Sequence, residues 1–132
     1  MTIIMKKVFL LSLFIVLGLG INAAAQGKAN IKFEKTTQNT GSFSEKSPVV
    51  HATYVFTNIG DSPLVVHEVI TSCGCTVPEY SKQPIQPGAK GQIKVTYDGK
   101  GKPLGYFKKS IIVRTNSSTP TTRLFIEGTM TE

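Results

Sequence analysis

The sequence predicts an all-β fold, an immunoglobulin-like two-sheet β-sandwich that follows an N-terminal signal peptide. Three observations point there. Beyond residue 30 apolar residues recur with period two in short runs, those runs are separated by clusters of Gly, Pro, Asn, Asp and Ser, and no segment repeats with the period of a helix.

The leader is read from its order of features. Lys6 and Lys7 form a short positive region, Val8 to Leu19 is apolar apart from Ser12 and Gly18, and Ala23, Ala24 and Ala25 offer small residues for cleavage. The run is shorter than the roughly 20 residues that a stable membrane span needs. No cysteine stands directly after it to carry a lipid. Cleavage before Gln26 removes 25 of the 132 residues and leaves 107, enough for one core and too few for two. The expected organisation is therefore a signal peptide over 1–25 and one sandwich domain over 26–132, exported to the periplasm or outside the cell. Loss of Lys6 and Lys7 takes two of the 15 basic residues, leaves the 8 acidic ones, and gives a net charge near +5. The lysines are scattered, with no basic stripe and no exposed aromatic platform, so a nucleic-acid partner is not expected.

Along the mature chain, "NIKFEKT" (30–36) reads as a first strand with Ile31 and Phe33 on one face. "VVHATYVFTN" (49–58) places Val50, Ala52, Tyr54 and Phe56 inward and His51, Thr53 and Thr57 outward, with Val55 as the exception. "NIGDSP" reads as the turn of a hairpin leading into "LVVHEVITS" (64–72), whose apolar residues fall on both faces and predict a central, covered strand. "VPEYSKQPIQPG" (77–88) holds three prolines and is expected to be a crossing loop that pairs with nothing. "GQIKVTYD" (91–98) alternates again with Ile93, Val95 and Tyr97 inward, and "GKGKPLG" (99–105) reads as a mobile hairpin connection. "YFKKSIIVRTN" and "TRLFIEGTM" finish the chain as two strands joined at "SSTP". Six or seven strands at this spacing predict the sandwich. The absence of Trp and of two distant cysteines excludes an antibody-type domain.

The order Phe33, Gly41-Ser42-Phe43, "FTNIGDSPL", "SCGCT", "IQPGAKGQIKVTYD" and "GYFKKSIIVRTNSSTPTTRLFIEG" resembles the DUF1573 family, exported bacterial immunoglobulin-like domains related to the MSP and ASPM/SPD-2/Hydin group. The resemblance covers about residues 31–130. It implies the fold and assigns no activity.

The chemistry-bearing stretch is "TSCGCT" (71–76), which holds the chain's only two cysteines, Cys73 and Cys75. In a straight strand two residues of this spacing sit about 6.5 Å apart at Cβ, too far for a disulfide. Gly74 at positive φ would fold the chain enough to close one. A bridge over so small a ring would be easily reduced. Redox enzymes place such a sulfur at a helix N-terminus, which this β sequence lacks. Two thiolates on one face would instead suit a soft ion such as Cu(I), with His51 and His67 as the only histidines to add. The simplest expectation is that the cysteines are packing elements at a bend where a strand leaves its sheet.

No catalytic constellation is expected. Ser42, Ser44 and Ser47 precede His51, but there is no nucleophile elbow and no acid partner. "GKGKPLG" lacks the spacing of a phosphate loop. Asn116-Ser117-Ser118 matches a glycosylation acceptor, although Asn58 and Asn116 at strand ends fit turn capping. The expectation is a non-catalytic binding or assembly module of the bacterial cell envelope without cofactor, its partner a protein or an envelope glycan. Tyr80, Lys100 and Lys102 are the expected contact residues, and the alternative is a thiol-redox or soft-metal protein using Cys73 and Cys75. The lysines and glutamate of 30–36 look like protection of an edge strand.

Overall fold

A computed structural model describes residues 27–132, so the expected leader over 1–25 lies outside the described residues. Eight strands form: β1 (Ile31–Phe33), β2 (Thr37–Ser44), β3 (Val49–Asn58), β4 (Val66–Thr71), β5 (Thr76–Tyr80), β6 (Lys90–Asp98), β7 (Gly105–Thr115) and β8 (Thr121–Thr131). One sheet has the order β1-β3-β6-β5 and the other β2-β8-β7-β4. The immunoglobulin-like sandwich predicted from the sequence is thus present.

Alternation decides which side chains meet between the sheets. Tyr54, Phe56, Ile93, Val95 and Tyr97 from one sheet and Ile111, Val113, Leu124 and Ile126 from the other are all buried. His51, Thr53, Lys94 and Asp98 point outward on the same strands. At one end of the sandwich Tyr97 stacks on Phe107 with centroids 3.9 Å apart, and Phe43 meets Phe107 edge-on. Tyr54 spans the layers, donating its hydroxyl to the Phe125 carbonyl at 2.5 Å.

The buried Asn58 closes the other end. Its Nδ2 donates to the carbonyls of Ser62 at 2.8 Å and Ile85 at 2.9 Å, and its Oδ1 accepts the Gly60 amide at 3.0 Å. A Cβ at Gly60 would overlap the backbone of Lys28 to Asn30, so only glycine lets these segments approach. Asn116 pins the same region, accepting the Val65 amide at 2.8 Å and donating to the Pro63 carbonyl at 3.1 Å. Both asparagines therefore cap turns, as expected.

Four expectations are corrected. Residues 59–65 are not a hairpin turn, because β3 and β4 lie in different sheets; the segment crosses between layers. The connection 99–104 likewise crosses from β6 to β7. The strand within 64–72 is an edge strand, not a central one: a bulge between Val66 and Glu68 turns Val66 and Val69 to the same inner side, which is why its apolar residues seemed to occupy both faces in sequence. Residues 77–80 of the proline-rich stretch do pair, as part of β5 against β6. Asp98 donates to the Cys75 carbonyl, so the alternation of the antiparallel ladder assigns the bonded pairs to Val77/Thr96 and Glu79/Lys94. Pro78 falls between them, where its missing N–H would have faced away from β6. The polar "TQNTGSFS" carries no apolar alternation, yet it forms β2 parallel to β8, with a bulge at which Gly41 takes φ 74°.

Replacing Asn58 with alanine strands several buried polar groups at once and should lower the unfolding free energy by about 3 kcal/mol in urea titration. Burial holds the Tyr54 hydroxyl protonated well above the ordinary phenol value of 10.0. Its contribution is therefore intact below pH 10 and is lost as the pH rises past 10, where the unfolded chain ionises first. Tyr97, raised by burial and then by Asp98, acts in the same direction. Tyr54→Phe should cost about 1 kcal/mol at neutral pH and make the alkaline fall in stability shallower without abolishing it.

Candidate functional site

Two places hold the residues singled out in sequence, and they lie at opposite ends of β6. At one end β4 leaves its sheet after Thr71 and β5 joins the other at Thr76. Between them Cys73 to Thr76 form a tight turn, closed by the Thr76 amide donating to the Cys73 carbonyl at 3.1 Å. The turn brings the Cα atoms of Cys73 and Cys75 to 5.1 Å, and the two sulfurs are joined as a disulfide. Gly74 is not the enabling residue expected, since the glycines at positive φ are Gly41, Gly88, Gly101 and Gly105, and a Cβ at Gly74 meets nothing within 4 Å. The turn itself, at ordinary negative φ, does the folding.

Both cysteines are half-buried, and Cys75 packs against the core, so the packing expectation holds for that residue alongside the bridge. Cys73 Sγ accepts the Cys75 amide at 3.2 Å. The Thr71 hydroxyl lies 3.2 Å from the Cys73 carbonyl and 2.9 Å from that of Thr76. Lys100 and Lys102 belong to the neighbouring loop, where the Lys100 amide bonds Asp98 Oδ1 at 3.0 Å and Lys102 donates to the Gly99 carbonyl. Among the described residues no three His, Cys, Asp or Glu side chains gather as metal ligands. His51 lies on the outer sheet face, bonded to the Thr96 hydroxyl at 2.9 Å, and His67 on the bulge of β4.

Tyr80 sits at the far end of β5, opposite Ile93, about 13 Å from the turn at roughly 3.3 Å per strand residue. Tyr80 is thus separate from Lys100 and Lys102, and the three do not share one contact surface. Tyr80 does two things: it packs against the core and it lines an open groove of about 480 Å³ with Ser81, Ile85, Lys90, Gln92 and Lys94. The groove exists because β6 is longer than its neighbour. β3 pairs with β6 from Lys90 to Asp98, whereas β5 pairs only from Ile93 to Tyr97. The Asn58 amide donates to the Ala89 carbonyl, so odd-numbered residues of β6 face β3 and even-numbered ones face β5. Gln92 consequently turns its N–H to the β5 side at the point where β5 stops. Sequence reasoning missed Gln92, whose role depends on where a different strand stops. Lys90 is held by Glu34 at 3.2 Å, and Lys94 stands opposite Glu79.

The family model described as "Protein of unknown function (DUF1573)" matches residues 31–130. The chain belongs to the DUF1573 family. A search of curated proteins by sequence finds no match. Among solved structures, this DUF1573 domain is similar to a protein of unknown function from Porphyromonas gingivalis W83, with TM-score 0.68, 18% identity, and 76% of this chain and 46% of that one covered. The chain thus spans about half of that protein. It is also similar to PapD-like domain 7 of human CEP192, with TM-score 0.64 and 8% identity over 80% of this chain and 87% of that one. The periplasmic chaperone SfaE follows with TM-score 0.56 and 9% identity over 78% and 59%. At these identities the likeness is one of fold. Among the described residues no helix is long and apolar enough to cross a membrane.

Gly74→Ala should leave the unfolding free energy within about 0.5 kcal/mol and the bridge intact, measured by urea titration and by intact mass without reductant.

Proposed function

We propose that this DUF1573 domain is an exported, non-catalytic binding or assembly module of the bacterial cell envelope, and that it takes an extended protein segment into the groove beside Tyr80. The Gln92 N–H, left without a ladder partner where β5 stops, carries the reading. A short segment laid against it would continue the ladder, with Tyr80 and Ile85 offering apolar contact and Ser81 and Lys94 polar contact. The leader-like residues 1–25 support export, and a closed disulfide is in keeping with an oxidising compartment. Lys100 and Lys102 lie at the other end and are not part of this contact.

A photo-crosslinking side chain placed at Ser81 in living cells should yield an adduct with an envelope protein, whereas the same side chain at Thr53, on the outer sheet face, should not. Gln92→Pro removes one groove-facing N–H, leaves the β3 side of β6 paired, and should reduce the Ser81 adduct severalfold. Equal adducts from Ser81 and Thr53, or a Ser81 adduct that Gln92→Pro leaves unchanged, would sink the assignment. Adducts of glycan mass would move the reading to an envelope glycan.

A further inference from the structure

The Cys73–Cys75 bridge is badly placed to act as a staple. The stabilisation a disulfide provides by restricting the unfolded chain grows with the length of the loop it closes, and this one closes a loop containing a single intervening residue. The turn it spans is already held without it. Thr76 donates to the Cys73 carbonyl, Asp98 to the Cys75 carbonyl, and the Thr71 hydroxyl reaches the carbonyls of Cys73 and Thr76. On each side the chain is anchored by a ladder, β4 against β7 and β5 against β6. Opening the bridge therefore leaves the backbone its own hydrogen bonds. Both sulfurs belong to half-buried residues around an exposed Gly74 at the end of the sandwich, where solvent and a partner can reach them.

We infer that Cys73 and Cys75 form a reversible thiol-disulfide exchange site that takes electrons from an exported dithiol while the domain stays folded. This goes beyond the binding role of the groove, which lies at the other end of β6. In the step, a thiolate of the dithiol attacks Cys75 Sγ, forming a mixed disulfide as the Cys73–Cys75 bond breaks, and Cys73 leaves as thiolate. Cys73 is the better leaving group because its Sγ already accepts the Cys75 N–H at 3.2 Å, and such a bond strengthens when the acceptor becomes charged. The reductant's second sulfur, as thiolate, then attacks its own mixed-disulfide sulfur and releases Cys75 as thiolate, and the protons given up by the dithiol return through solvent to the Cys73 and Cys75 thiolates. Two electrons pass to this chain and the dithiol becomes a disulfide, so the exchange balances and runs in either direction according to the partner's potential. Lys100 and Lys102, on the loop that follows the Asp98 contact to Cys75, add positive potential on this end and favour an anionic attacking thiolate.

The test is anaerobic incubation of the exported chain, as purified from the cell, with millimolar reduced glutathione as the probe thiol. Acid quench, alkylation and intact mass follow, with near-UV circular dichroism in parallel. Most molecules should acquire two alkylated thiols while the near-UV spectrum stays native, and re-oxidation by oxidised glutathione should close the bridge again. Any glutathione caught as adduct should map to Cys75; mapping to Cys73 would overturn the direction of attack. A bridge that resists glutathione until urea unfolds the chain would overturn the site, and so would reduction that itself unfolds the domain, since the bridge would then be a staple. The Cys73→Ser/Cys75→Ser variant separates the two roles: it should retain the groove crosslink at Ser81 and lose all thiol chemistry.

Discussion

The amide of Asn58 is the point on which the groove end of the molecule depends. Placed at the last residue of β3 with no exposure to solvent, it holds the carbonyls of Ser62 and Ile85 and the amide of Gly60. Its backbone meanwhile bonds Gly88 and Ala89. One residue thereby fixes the crossing from β3 to β4 and the return of the proline-rich segment to β6. A buried polar group with this many partners specifies one arrangement, because every alternative would leave some of them unpaired at a cost of about 1 to 3 kcal/mol each. The groove beside Tyr80 follows in part, since Ile85, which forms its far wall, is held by Asn58 Nδ2 on its carbonyl together with a backbone bridge to Leu64.

The sandwich has little free edge. Each of the four edge strands carries a device against pairing with another chain. β1 is three residues long, β2 is bulged at Gly41, β4 is bulged at His67, and β5 presents Pro78 to the outside. What is left open is the short run of β6 past the end of β5, and that is where Gln92 faces the groove. A short, walled piece of edge favours one extended segment over sheet-to-sheet aggregation.

The two ends of β6 thus differ in chemistry. One presents an open backbone N–H and an aromatic ring, and the other a sulfur bridge in a turn flanked by lysines. They are separated by about 17 Å of strand, at roughly 3.3 Å for each of the five steps from Ile93 to Asp98.

Local pattern by itself determined the class of fold, the inward faces of β3 and β6, the β7–β8 hairpin and the capping asparagines, because period-two burial and turn chemistry are short-range properties. Where the pattern is weak the reading failed for physical reasons. β2 is polar because it lies at a sheet edge with none of its residues buried, and β5 tolerates proline because its missing N–H faces away from its only neighbour. The apolar residues of β4 looked two-sided because a bulge, invisible in sequence, shifts their phase. The cysteine spacing indicated that only a sharp bend could join the sulfurs, but the bend came from a turn held by Thr71, Thr76 and Asp98, and not from Gly74. The separation of Tyr80 from Lys100 and Lys102, and the opening at Gln92, were decided only by tertiary structure. They depend on which strand lies beside which and on where the shorter one ends, and those are long-range facts that no local run of residues encodes.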